Sequence, residues 1–263
     1  MLIDTHCHLL LSDFDEDRHD VIMRAHQANV LKMIAIAIKV KDFVTLIKLC
    51  EDYPESIFCS IGTHPCHAHE ENEVLVDELV CLASHPKVVA IGETGLDRYH
   101  NAHTIEEQKI VFLRHIEAAR ITGIPLVIHS RLADEDMAAI LQEEMKKGSF
   151  PFVIHCFSSG QKLADICLEL GGYISFTGMI TFHKYDSLRS IAKGIPMDRV
   201  LVETDSPYIV PVPCRGKRCE PSYVVNTAKV LAKEKGVSYE YLMEKTTENA
   251  LRLFSKISGC TCS

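Results

Sequence analysis

The residues best suited to chemistry in this sequence are histidines and carboxylates at the ends of short apolar runs. Leu2-Ile3-Asp4-Thr5-His6-Cys7-His8 is the first of them. On a β-strand alternate side chains face the same side, so His6 and His8 leave the run as two imidazoles able to grip one ion. Alone, a His-x-His is a weak signal, because polar residues end many strands. Here the event recurs. His64, Glu93, His129, His155, Glu203 and Asp205 each follow another short apolar run. Burying that many imidazoles and carboxylates without partners is costly. A shared metal centre satisfies them jointly, and His with Asp or Glu suits first-row divalent ions.

The ligand count suggests two ions. His6, His8 and Asp205 would hold one, His129 and His155 the other, with Glu93 as the bridging carboxylate. Paired ions clamp the attacking and leaving oxygens of an in-line displacement and lower the pKa of a bound water. Two dications against two carboxylates leave the pocket at about +2, attractive to an anionic ester. The chain as a whole is acidic, with a formal net charge of −8. Asp205 is a candidate to take the proton of the attacking water. Glu203, on the same strand face, is either a ligand or a base behind the ligands. His64 either orients a leaving phosphate or holds its own loop, while His67 and His69 read as solvated. Pro213-Cys214-Arg215-Gly216-Lys217-Arg218 follows the last run. Arg215 and Lys217 there read as phosphate contacts or as a solvated basic loop.

Something must bring these scattered residues together. Strands are expected from residue 2 and at 31–38, 57–61, 88–91, 126–128, 152–154, 173–176 and 200–202. Helices are expected at 15–28, 40–53, 71–84, 105–122, 133–147, 161–170, 185–192, 222–235 and 239–254. Thr104-Ile105-Glu106-Glu107 has the form of a capping box, and Gly123 stands where that helix should stop. Eight strands, each followed by a helix, imply parallel pairing and right-handed crossovers. At 263 residues the chain has the size of a (β/α)₈ TIM barrel, class α/β. A doubly wound open sheet would spread the polar strand ends along an edge; a closed barrel makes them converge on one axis. No linker or repeat divides the chain, so a single domain over 1–263 is expected, fraying from about residue 256.

Composition narrows the setting. The acidic surface does not advertise nucleic-acid binding, so a polyanion needs a local patch or bound cations. Eleven cysteines match neither a zinc-finger nor a thioredoxin-like spacing, which fits free thiols in the cytoplasm; Cys260 and Cys262 fall in the expected tail. Cys7, Cys66 and Cys156 lie near the site in sequence without an argument for a nucleophile. No leader is expected, since its cleavage would remove the first histidines. No apolar run is long enough for a membrane span; the sequence leaves the oligomeric state open, and a monomer fits it.

Seven stretches carry a resemblance: IDTHCH (3–8), IGTHP (61–65), IGETGLD (91–97), VIHSR (127–131), IHCFS (154–158), ETDSPY (203–208) and RGK with Glu220-Pro221. In this order they resemble the TatD-related metal-dependent deoxyribonucleases of the amidohydrolase superfamily, over nearly the whole chain. The resemblance implies a barrel, magnesium- or manganese-stimulated (with zinc as a further option) hydrolysis of DNA phosphodiesters, and in part 3′-to-5′ exonuclease action. It also implies metal ligation by His6, His8, Glu93, His129, His155 and Asp205, the same six that the strand ends give. Cys66 and Cys214 stand where the family often has histidine, and Cys219 where it has asparagine. None of the three is an expected ligand.

Two other readings compete. One is a different ester or amide hydrolysis of the amidohydrolase superfamily, such as removal of D-amino acids from tRNA. Many such barrels bridge their metals with a modified lysine on the fourth strand, where this chain has Glu93, and there is little spare length for a lid over a small substrate. The other is a non-catalytic binding protein on the same scaffold, which the full complement of candidate ligands disfavours.

Overall fold

The computed structural model describes residues 1–259. Eight strands run in sequence order: Leu2–Cys7 (β1), Val30–Ala35 (β2), Ile57–Ile61 (β3), Val88–Asp97 (β4), Leu126–Arg131 (β5), Phe152–Ile154 (β6), Tyr173–Phe176 (β7) and Val200–Val202 (β8). Every neighbouring pair is parallel. Beyond β8 the chain folds back onto β1: the Asp205 amide donates to the His6 carbonyl at 2.9 Å and the His8 amide to the Ser206 carbonyl at 2.8 Å. That seam makes the sheet a barrel. Helices cover the outside: Arg18–Gln27 (α1), Phe43–Asp52 (α2), Val76–Ala83 (α3), Ile105–Thr122 (α4), Asp134–Lys147 (α5), Gln161–Glu169 (α6), Asp186–Gly194 (α7), Val224–Lys235 (α8), Tyr239–Leu253 (α9) and Lys256–Gly259 (α10).

The strands are buried on both faces, as their near-continuous apolar runs require. One core lies between barrel and helices and includes Leu2, Met33, Ile57, Leu126 and Ile154. A second fills the barrel itself, with Ile3, Ile34, Phe58, Val127, Val153 and Leu201. Leu253, Phe254 and Ile257 join that inner core from the end of the chain. The Lys256 ammonium donates to the carbonyls of Ala83 (2.7 Å), His85 (3.1 Å) and Val88 (3.0 Å). Asn249 donates to Val200 at 2.9 Å, and Thr247 to Met1 at 2.8 Å. These are the starts of β4, β8 and β1, so the C-terminal helices plug the barrel at the end where its strands begin. No helix of the described residues is long and apolar enough to cross a membrane.

Several expected boundaries move, each for a tertiary reason. The tail expected to fray from about 256 is helical through Gly259; the expectation for Cys260 and Cys262 lies outside the described residues. Helix α3 begins at Val76 rather than 71. Glu71 is instead buried, taking hydrogen bonds from the Val40 amide (2.9 Å), the Lys41 amide (3.3 Å) and the Thr63 hydroxyl (2.6 Å). The capping box does not form. Thr104 makes no side-chain cap bond to α4; its hydroxyl donates to Asn101 and accepts from the buried Gln108 amide. Gly123 does end α4, with φ +70°. The largest shift is in β4, expected to stop at 91 and continuing to Asp97.

Candidate metal centre

The expected ligands meet at the carboxyl ends of the strands. The Nε2 atoms of His6 and His8 are 3.3 Å apart. Glu93 Oε2 lies 3.3 Å from the first and 3.8 Å from the second. Asp205 Oδ1 lies 3.5 Å and 3.3 Å from the same two nitrogens. Four atoms around a common centre with bonds of about 2.1 Å would stand about 3.4 Å apart. The spacing is that of a coordination shell. Glu93 Oε2 is also buried without a hydrogen-bond partner, a state costly for a carboxylate oxygen unless a cation faces it.

The other oxygen of the same carboxylate faces a second group. Glu93 Oε1 lies 2.8 Å from His129 Nδ1 and 2.7 Å from His155 Nε2, and those two nitrogens are 3.3 Å apart. Glu93 occupies this pivotal place because β4 bulges there. Gly92 pairs with Val127 and Thr94 with Ile128, leaving Glu93 as the extra residue. A bulge re-aims the side chain it carries. Asp205 also departs from strand geometry, with φ +56°, and such backbone is held only where its surroundings fix it.

The neighbouring groups orient this set. Glu203, left open as ligand or base, is 1% exposed and lies behind His155. It accepts from the Cys156 amide at 2.6 Å and faces His155 Nδ1 at 3.3 Å through Oε1, while Oε2 accepts from Ser175 at 2.6 Å. With Nδ1 held by Glu203, His155 aims Nε2 at Glu93. His64 Nδ1 accepts from the Cys66 amide at 3.1 Å, which fixes its proton on Nε2, 3.5 Å from Glu93 Oε1. That tautomer makes His64 a hydrogen-bond donor into the site as well as the holder of its loop. Asp97 is a further candidate for the site, beyond those expected from the strand ends. Its Oδ2 faces His129 Nε2 at 3.1 Å, the arrangement in which a carboxylate orients a metal-binding imidazole. Its signal was available: it stands four residues beyond Glu93, an even spacing that shares one strand face.

Electrostatics point the same way. Burial alone would raise the Glu93 carboxyl, but the imidazoles of His155, His64 and His6 outweigh it and hold the group well below the usual range. Burial likewise opposes charge on His155, yet Glu93 and Glu203 raise it well above its ordinary value. His64, with less compensation, is pushed down to about 3 by burial. The Glu93 carboxylate thus stays ionised, and a cation is the natural partner for the imidazoles and carboxylate together. His/Glu groupings able to hold a metal are present: His6, His8 and Glu93 form one, His64, Glu93 and His129 another, and His6, His155 and Glu203 a third.

The cluster opens on a cavity of about 640 Å³, lined among others by His64, His129, Arg131, Phe182, Tyr185 and Tyr208. Arg215 and Lys217 are not brought to the ligands. Arg215 stacks over the Phe182 ring at 4.4 Å, at the cavity rim, and Lys217 is exposed. Arg218, the third cation of that loop, is structural, bonded to Asp17 at 2.7 Å. Nine cysteines among the described residues are free.

Comparison with known proteins gives the family. The family model described as "TatD related DNase" matches residues 3–255. The uncharacterized metal-dependent hydrolase YcfH of Escherichia coli is 40% identical over 256 residues, covering 96% of this chain and 95% of that protein. The 3′-5′ ssDNA/RNA exonuclease TatD of Pectobacterium carotovorum is 32% identical, covering 96% and 99%. The crystal structure of YJJV, a TatD homologue from Escherichia coli, superposes with a TM-score of 0.89 at 27% identity, covering 97% and 98%. The barrel fold and the sequence are thus matched over nearly the whole chain, and the chain belongs to the TatD-related DNase family of metal-dependent hydrolases.

Proposed function

We propose that this protein is a divalent-metal-dependent phosphodiesterase that trims DNA from the 3′ end. The observation that carries the reading is the divided environment of Glu93: Oε2 faces His6 and His8, and Oε1 faces His129 and His155. In this reading His6, His8 and Asp205 would hold one ion and His129 and His155 a second, with Glu93 available to both. Bound magnesium or manganese would supply Lewis-acid charge and an activated water. Asp205, at the cavity wall, would take the proton of the attacking water. Glu203 keeps His155 in the tautomer that presents Nε2, and Asp97 does the same for His129 by holding its Nε2 and presenting Nδ1. His64, a donor by its tautomer, hydrogen-bonds a phosphoryl oxygen.

The substrate class is supported by the rim. Three cations lie over aromatic rings around the mouth: Arg131 over Tyr99 at 4.4 Å, Lys184 over Tyr185 at 5.2 Å and Arg215 over Phe182 at 4.4 Å. Ring faces paired with positive charge suit unstacked bases and phosphates. The single-strand exonuclease name of the 32% identical relative favours the same substrate. The test is hydrolysis by chelator-treated protein supplied with graded magnesium or manganese. A 5′-labelled single strand should shorten stepwise from its 3′ end. Folded, metal-loaded protein that leaves the strand intact would overturn the assignment.

A further inference from the structure

A further group of metal-ligating atoms shares only Asp97 with the set just described. Cys66 Sγ, an oxygen of Asp97 and a ring nitrogen of His100 all lie within 4.8 Å of one another, and all three residues line the cavity. They come from two loops. Cys66 lies in the turn after β3, and Asp97 and His100 end β4 and begin the turn beyond it.

The two loops are held in register before any ligand arrives. The Asn101 side-chain amide donates to the Cys66 carbonyl at 3.0 Å, and the Cys66 amide is fixed on His64. Asp97 Oδ1 accepts from the amides of Tyr99 (2.8 Å) and His100 (2.7 Å). That leaves Oδ2 between His100 Nδ1, 2.9 Å away, and His129 Nε2, 3.1 Å away. The His100 side chain is half-exposed, which gives an ion a path from solvent.

We infer that Cys66, Asp97 and His100 form a separate binding site for a thiophilic divalent cation, zinc by preference. One thiolate, one imidazole and one carboxylate with water in the fourth position are the ligands of an open tetrahedral zinc site. The edges of such a site are about 3.3–3.6 Å. Ligation therefore draws the loop cysteine and the exposed histidine inward, while Asp97 stays anchored by its other oxygen. A divalent ion deprotonates a thiol it binds. The sulfur sets this site apart from the main cluster, whose donors are nitrogen and oxygen and suit harder ions as well. Asp97 Oδ2 also faces His129, so the site adjoins the main cluster without sharing a histidine with it. The inference stands independently of the nuclease reading, because it concerns ion stoichiometry and sulfur ligation rather than turnover.

Cobalt(II) is the probe, since a cobalt–thiolate bond gives a near-ultraviolet charge-transfer band that nitrogen and oxygen ligands do not. Metal-free full-length protein titrated with cobalt should develop that band, and zinc should quench it. Cys66→Ser should abolish it and lower the zinc bound by one ion per chain. Cys66→His should restore the ion without the band, and Cys156→Ser, the other cavity cysteine, should leave both unchanged. A cooperative thermal melt and manganese binding equal to those of the unaltered protein report that the fold and main cluster of each variant are intact. No band in the unaltered protein, or a band that survives Cys66→Ser, would overturn the assignment.

Discussion

The two ends of the barrel solve opposite problems with the same strands. Where the strands begin, Phe254 and Ile257 close the inner core as buried apolar side chains, and backbone carbonyls are capped by Lys256 and Asn249. Those carbonyls are satisfied within the protein. Where the strands end, Glu93 keeps a buried carboxylate oxygen, Oε2, with no hydrogen-bond partner. The chain completes its hydrogen bonding at one end and leaves it incomplete at the other. The first arrangement stabilises; the second is costly until a cation arrives. The same division holds for histidines. His115, buried in α4, accepts from the Thr63 amide at 3.0 Å and faces the Val111 carbonyl at 2.8 Å. Both its nitrogens are used, which marks it as a part of the core.

Replacing residues at each end separates the two roles. The largest effect is expected from Glu93→Ala or Asp205→Ala: metal-stimulated hydrolysis should fall to background and bound metal should drop, with a cooperative melt retained. Full activity in either variant would erase the contrast. At the other end, Phe254→Ala should cost about 3–5 kcal/mol in denaturant unfolding, the usual range for emptying a phenylalanine site. Hydrolysis per folded molecule should be unchanged; a loss of activity at full folding would mean that the plug also shapes the site. Asp97→Asn tests the orienting carboxylate. A decrease of about 10–100-fold in metal affinity or rate is expected, read from metal titration of the activity. The smallest effect belongs to the rim. Arg215→Ala with Lys217→Ala should raise KM for DNA and flatten its dependence on salt, by about one unit of log–log slope for each phosphate no longer neutralised, leaving kcat alone. An unchanged slope would make the loop merely solvated.

The six candidate ligands were legible because strand ends have a simple rule: a polar residue after a buried run has to go somewhere, and a barrel sends it to one axis. Glu203 and Asp97 were harder. Both are carboxylates near a strand end, and only their neighbours separate a group aimed at an ion from one aimed at a histidine. Ser175 and the Cys156 amide draw Glu203 behind His155; the extension of β4 to residue 97 carries Asp97 to His129. Glu71 and Thr104 show the same limit for helix starts, since hydrogen bonds to other groups took the side chains that local pattern assigned to the first turns of helices.

Sequence alone therefore determined the alternation of strands and helices, the parallel barrel, and which histidines and carboxylates would meet. These follow from hydrophobic periodicity and side-chain parity, which are local. Tertiary structure decided the bulge that turns Glu93 between two clusters, the tautomers set by Glu203 and the Cys66 amide, and the apolar plug at the far end. Each of those depends on how separate loops and strands pack together, and spacings as fine as those between ligand atoms are fixed only by that packing.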